Sequence, residues 1–115
     1  MQMTGLKKVA LCVIGLVITS TGHTDSSLAG GGTFSCGKYV EWRRTNNERY
    51  QYSVIWTQGF LSGLNIAKYR ETGKFSSIPS PETIGLMLES ECLTYPTEQI
   101  WKVAELIFTS LDELK

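Results

Sequence analysis

Histidine is nearly absent from this sequence. The 115 residues contain only one, His23, which lies in an N-terminal segment that we expect to be removed. A chain without histidine cannot form a serine or cysteine triad with a histidine base, and it lacks the most common zinc ligand. The composition therefore argues against these hydrolytic and zinc-dependent enzymes.

The sequence also lacks an excess of either charge. Eleven basic and eleven acidic residues give a formal net charge of zero. Because there is no block of basic residues, nucleic acid is a poor candidate partner. No glycine-rich loop between a strand and a helix is present to hold phosphate groups. Glu89 and Glu91 would point to different sides of a helix, so they do not form an acid–base pair. We expect neither an enzyme nor a bound cofactor.

No apolar run is long enough to span a bilayer as a helix. The longest covers residues 9–18, follows Lys7 and Lys8, and precedes a polar stretch. This order is typical of a secretory signal peptide, whereas a transmembrane helix needs about 20 apolar residues. We therefore predict a periplasmic protein whose mature form has no stable membrane anchor.

Small residues predict where this signal peptide is cleaved. Ser27 and Ala29 would occupy the −3 and −1 positions, so residues 1–29 are predicted to form the signal peptide. Cleavage after Gly22 is the second choice, and an uncleaved anchor is the alternative. The glycines at 30–32 predict a flexible leader over residues 30–35.

Only two cysteines, Cys36 and Cys92, remain after this cleavage. An even number of cysteines in an exported chain predicts a disulfide. The bond would close a long loop, and the chain-entropy model assigns it about 4 kcal/mol of stabilisation. Two free, buried thiols are the alternative.

The remaining chain, residues 36–115, is predicted to form a single helical domain. No stretch alternates long enough to form a sheet. Ser35 and Ser80 suit helix N-caps, Pro81 suits a first turn, and Gly73 suits a helix end. We therefore predict an all-α fold, a compact bundle of about four helices with one disulfide. The predicted helices span residues 36–44, about 47–71, 81–93 and 97–114.

The second of these helices is apolar nearly all round, which is typical of a helix sandwiched in a core. Its inner stripe is predicted to comprise Tyr52, Trp56, Phe60, Gly63 and Ala67. Gly59 and Gly63 lie one turn apart, so we predict a close crossing with another helix there.

Two further sets of side chains are candidates for an interaction surface. Gln58, Ser62 and Asn65 form a polar line on the second helix that we expect to be solvated. Trp101 and Phe108 lie about 90° from the inner stripe of the last helix, and they are either a second core contact or exposed anchors for a partner. That inner stripe comprises Ile100, Ala104, Ile107, Leu111 and Leu114.

Several short motifs resemble a group of small exported helical proteins of Proteobacteria. Cys36 opens a short amphipathic helix, and residues 59–63 read Gly-Phe-Leu-Ser-Gly. Ile78-Pro79 ends a loop before the helix that carries Cys92, and a last helix with the Ala104–Leu111 spacing follows. The chain resembles the Tai/Rap-type immunity proteins, which neutralise cell-wall amidase effectors of type VI secretion, and the Hde-type periplasmic acid-stress chaperones. A further C-terminal cysteine, common in the immunity relatives, is absent.

This resemblance implies a non-enzymatic role in binding another protein, often with homodimerisation. An immunity or inhibitor protein is our first hypothesis, with an effector as its partner. The alternative is an acid-activated chaperone with client proteins as partners. Such a chaperone would depend on protonation of its carboxylates, because no histidine is available as a switch. A structural or interaction protein of another kind is a further alternative.

Overall fold

The computed structural model describes residues 27–115. The predicted signal peptide, including Lys7, Lys8 and His23, therefore lies almost entirely outside the described residues.

Four α-helices form the described part of the chain, as predicted. They are connected by short turns and one longer loop, and no strand is assigned between residues 27 and 115. A short 3-10 helix, Gly30–Thr33, precedes them. The helices are α1 (Cys36–Arg44), α2 (Tyr50–Thr72), α3 (Pro81–Thr94) and α4 (Ile100–Ser110).

The predicted helix caps are present. The Ser35 hydroxyl accepts a hydrogen bond from the Lys38 amide at 3.1 Å, and the Ser80 hydroxyl accepts one from the Thr83 amide at 3.3 Å. Gly73 adopts a left-handed conformation with φ 73°, and its amide donates to the Tyr69 carbonyl at 2.7 Å. These local signals explain why the bounds of α1 and α3 agree closely with the sequence.

The last helix is shorter than predicted because its flanks pair with other segments. The Cys36 amide donates to the Glu98 carbonyl at 2.8 Å, and this extended pairing delays the helix start to Ile100. After Ser110, the Leu114 amide donates to the Phe75 carbonyl at 2.8 Å. Leu114 is consequently 62% exposed rather than part of the inner stripe.

The core lies where the four helices meet, and the predicted disulfide crosses it. Cys36 and Cys92 are fully buried and bonded, with their Cα atoms 4.8 Å apart, so the bond joins α1 to α3. The sides of α1 and α3 that carry the two cysteines face the core. The core side chains are Cys36, Tyr39, Val54, Leu61, Ile84, Leu88, Cys92, Ile100, Val103 and Ile107.

Residues 30–33 are packed against α2, so the prediction of a flexible leader is wrong for this segment. Gly31 and Gly32 are buried, and a Cβ on Gly31 would collide with the Tyr52 carbonyl. The Trp56 indole donates to the Ala29 carbonyl at 2.7 Å, and the Ser53 hydroxyl donates to the Gly31 carbonyl at 2.9 Å. Glycine is required here because only a chain without side chains approaches α2 this closely.

The inner face of α2 is also opposite to the predicted one. Its buried residues are polar at three of five positions, whereas the predicted inner stripe is exposed or half-buried. The polar side chains are tolerated because Ser53 and Asn65 find hydrogen-bond partners in distant segments. The buried residues of α2 are Ser53, Val54, Thr57, Leu61 and Asn65.

Candidate functional site

The most prominent surface feature is a row of apolar and small residues on α2 that points away from the core. We call this row the outward stripe. With 100° of rotation per residue around the helix axis, all its members point within about 40° of the direction in which Gly59 points. Tyr52 and Ile55 are each 64% exposed, and Ile66 is 51% exposed. An exposed apolar surface of this length is a candidate contact site for another protein. The outward stripe comprises Tyr52, Ile55, Gly59, Gly63 and Ile66.

The two glycines in this stripe do not mark a helix crossing within the domain. Gly59 and Gly63 are exposed, and a Cβ built on either would meet no atom within 4 Å outside the helix's own neighbouring backbone. The prediction of an intramolecular crossing is therefore wrong. The physical reason is the reversed orientation of α2, which places Leu61 and Thr57 inward and the glycines outward.

Replacing either glycine by alanine is expected to stabilise the isolated domain. Glycine in a helix interior costs about 1 kcal/mol relative to alanine, and the added methyl group of Gly59→Ala or Gly63→Ala meets open space. Chemical denaturation at low protein concentration measures the gain. Gly31→Ala serves as the opposite control, because its methyl group collides with the α2 backbone. A loss of stability in Gly59→Ala would contradict the exposed position of this face.

A second set of exposed apolar side chains lies on α3. Leu86 and Leu93 are 60% and 64% exposed and seven residues apart, so they share one side of the helix. We call them the outward leucines. Leu86 and Ile55 line the same open cleft between α2 and α3. Exposed apolar surface thus continues from Ile55 on α2 to Leu86 on α3, whereas Leu93 lines a cleft with Val40 and Arg44 of α1.

The three residues of the predicted polar line on α2 have different environments in the structure. The Asn65 side chain is buried, where it accepts from the Ser76 amide at 2.7 Å and donates to the Ser76 carbonyl at 2.8 Å. Ser62 is exposed, and its hydroxyl donates to the Gln58 carbonyl one turn earlier at 2.8 Å. Gln58 is half-buried. Asn65 is therefore a structural residue that ties a loop to α2, and the expectation of a solvated line is wrong for it.

The two aromatic residues predicted as a pair on α4 have different environments. Phe108 is partly buried and packs against the core. Trp101 is half-buried outside the core cluster, its indole donates to the Gln99 side chain at 2.8 Å, and the Lys102 ammonium lies 5.4 Å from the ring centre. Only Trp101 remains a candidate surface residue, because core contacts account for Phe108.

Trp56 and Phe60 lie beside the outward stripe and stack on each other. Their ring centres are 4.8 Å apart and nearly parallel. Trp56 also covers Gly30 and Gly32 of the leader, which explains why this tryptophan lies outside the core. Sequence periodicity assigned it to the core because the contact with the leader cannot be read from α2 alone.

The ionisable groups between α1 and α3 form hydrogen bonds and an ion pair that link the two helices. Burial raises the pKa of Tyr39, whose hydroxyl donates to the Gly85 carbonyl at 2.8 Å. The hydrogen bond to Glu89 raises the pKa of Arg43, whose Nε lies 2.9 Å from the Glu89 carboxylate. The Arg43 guanidinium also lies 4.9 Å from the centre of the Tyr50 ring. These groups hold α1 on α3 and leave no activated nucleophile among themselves.

The exposure of three apolar members of the outward stripe, namely Tyr52, Ile55 and Ile66, was not predicted from the sequence. The glycine pair was the available signal, because two glycines in one turn-spaced row suggest close contact with another chain segment. This signal predicted a contact inside the domain, whereas the structure leaves that side of α2 exposed.

Between residues 27 and 115, no three histidine, cysteine, aspartate or glutamate side chains are grouped closely enough to hold a metal ion. None of the helices in that range combines the length and apolar character needed to cross a membrane. Comparison of the chain with protein-family models, curated proteins and solved structures finds no match.

Proposed function

We propose that this chain is an exported, non-enzymatic protein-binding module, and that it acts as an immunity protein against a cell-wall amidase effector. The observation that carries the proposal is the exposed apolar surface formed by the outward stripe of α2 and the adjoining Leu86 of α3. A domain whose core is already filled by other residues has no folding requirement for these side chains. Their exposure is explained by contact with a partner.

The construction of the scaffold supports this role. The disulfide and the Arg43–Glu89 pair fix α1 on α3, and the leader is held on α2. The exposed side chains therefore lie on helices that are held in place by core contacts. Such a surface binds a partner with little loss of conformational entropy, which favours tight inhibition.

Protection from the effector is the direct test. The exported protein is co-expressed with a periplasm-targeted cell-wall amidase effector of the kind that the resembled immunity proteins neutralise, and lysis and binding are measured. We expect the wild type to protect the cells. We expect Ile66→Asp on α2 or Leu86→Asp on α3 to abolish both protection and binding, because each places a charge in the apolar contact.

Leu106→Asp is the matched control, since Leu106 is an exposed leucine on α4, outside both surfaces. Wild-type protection by both interface variants would contradict the proposed surface. Absence of any binding between the wild type and the amidase would contradict the immunity role. Binding of many unrelated proteins only in acid would support the chaperone hypothesis instead.

A further inference from the structure

An open cleft lies where α1, α2 and α3 meet. Its apolar walls include Ile55 of α2 and Leu86 of α3, and the side chain of Arg43 on α1 lines it as well. We call it the Arg43 cleft. We propose that the Arg43 cleft receives an acidic side chain of the effector, whose carboxylate binds the Arg43 guanidinium. The identity of this partner rests on the proposed function, whereas the chemistry of the site is argued from the cleft itself.

Arg43 has hydrogen-bond donors that the domain leaves unused. A guanidinium carries five N–H groups. Among the residues that the structure describes, only the Nε–H of Arg43 makes a hydrogen bond, which it donates to the Glu89 carboxylate at 2.9 Å. The Arg43 side chain is only 22% exposed, so its other N–H groups are partly withdrawn from water. A carboxylate is the acceptor that suits them best, because it forms parallel, charge-assisted hydrogen bonds with the planar guanidinium.

Three neighbours hold the guanidinium in place before a partner binds. Glu89 pairs with its Nε–H, and the centre of the Tyr50 ring lies 4.9 Å from the guanidinium carbon. Gly85 of α3 is buried, and a Cβ built on it would lie 3.4 Å from the Nη1 atom of Arg43. The absence of a side chain at Gly85 therefore lets the guanidinium lie close to α3. A donor group that is already fixed binds its acceptor with little loss of side-chain entropy.

The size of the Arg43 cleft indicates an inserted side chain rather than an inserted helix. Its volume is about 390 Å³, which lies in the lower part of the range found for ligand pockets. One turn of an α-helix with its side chains occupies about 500 Å³, from its pitch and diameter. The cleft is too small for such a turn. It suits an acidic side chain together with an apolar neighbour that contacts Ile55 and Leu86.

The Arg43 cleft adjoins the surface assigned to the effector, because Ile55 belongs both to the cleft and to the outward stripe. A partner on the stripe therefore brings its side chains to the opening of the cleft. Two further lining residues, Gln51 and Glu82, are exposed at this opening. Glu82 has the same charge as the proposed ligand, and solvent and salt weaken its repulsion. Isosteric changes at these two positions therefore alter the local charge without touching Arg43.

Titration with two capped tripeptides tests the chemistry of the cleft without the effector. Acetylated and amidated Leu-Glu-Leu and Leu-Gln-Leu have the same shape and differ in the central charge. Chemical shifts of the Arg43 Nε–H and the Gly85 amide measure binding. We expect the glutamate peptide to bind in the millimolar range, at least about fivefold more tightly than the glutamine peptide. Arg43→Met should remove this difference. Equal affinity for the two peptides, or no shift with either in the millimolar range, would overturn the proposal.

Variants at the opening of the cleft test the same contact in the complex with the amidase effector. Gln51→Glu should weaken amidase binding about threefold and Glu82→Gln should strengthen it by a similar factor, because each changes the charge beside the bound carboxylate. Glu71→Gln is the control, since Glu71 is exposed at the far end of α2 and outside the cleft, and it should leave the affinity unchanged. The melting temperature of each variant checks that it is folded.

The outcomes separate this inference from the proposed function. An amidase that binds the wild type and all three charge variants equally would overturn the insertion of an acidic side chain, while the proposed function would stand. Absence of amidase binding to the wild type would contradict the proposed function, and the peptide titration would still decide whether the Arg43 cleft selects a carboxylate.

Discussion

Replacing Cys36 and Cys92 together by alanine should lower the free energy of unfolding by about 4 kcal/mol. The chain-entropy model gives this value for a bond that joins residues 56 positions apart. The net free energy of unfolding of a domain of this size is only a few kcal/mol, because conformational entropy opposes folding. The change is therefore expected to leave the domain marginally folded. Alanine is chosen because both sites are fully buried, where a serine hydroxyl would need a partner.

Urea denaturation of the oxidised wild type, the reduced wild type and the double-alanine variant measures this effect. Reduced wild type and double-alanine protein should have similar midpoints, both well below that of oxidised wild type. Addition of reductant to the double-alanine variant should change nothing, which controls for effects of the reagent. A loss smaller than about 1 kcal/mol would show that α1 is held on α3 mainly by Tyr39, Arg43 and their partners.

Replacing Asn65 by alanine should destabilise the domain by about 2–6 kcal/mol. Its side-chain amide satisfies both backbone groups of Ser76, which is only 3% exposed. Removal of the amide leaves one buried N–H group and one buried carbonyl without a partner, and each costs about 1–3 kcal/mol. The loop between α2 and α3 should loosen as a consequence.

Ser62→Ala is the matched control for Asn65→Ala, since Ser62 lies three residues earlier on the same helix and is exposed. Removal of the Ser62 hydroxyl should change the free energy of unfolding by no more than about 0.5 kcal/mol. Hydrogen exchange at the Ser76 amide adds a local measurement, and it should accelerate strongly in Asn65→Ala alone. Equal stability of the two variants would contradict the structural role of Asn65.

The orientation of α2 shows where reasoning from sequence was insufficient. The helix is apolar nearly all round, so hydrophobic periodicity did not distinguish its two sides. Ser53 and Asn65 are buried because Gly31 and Ser76, 22 and 11 residues away, provide their hydrogen-bond partners. Thr57 is buried on the same side, although its hydroxyl has no partner. Contacts of this kind form only when the chain is folded. A helical projection of α2 does not include the distant residues, so it cannot predict these contacts.

The sequence by itself determined the helical class, the bounds of α1 and α3, and the disulfide. These depend on local chemistry, namely the Ser35 and Ser80 caps, Gly73 at a helix end, and an even number of cysteines in a chain predicted to be exported. Only the tertiary structure decided which side of α2 is buried and that the glycine leader is held in place. It also placed the glycine pair on the surface, because these features depend on which distant segments satisfy the polar groups and fill the space around each helix.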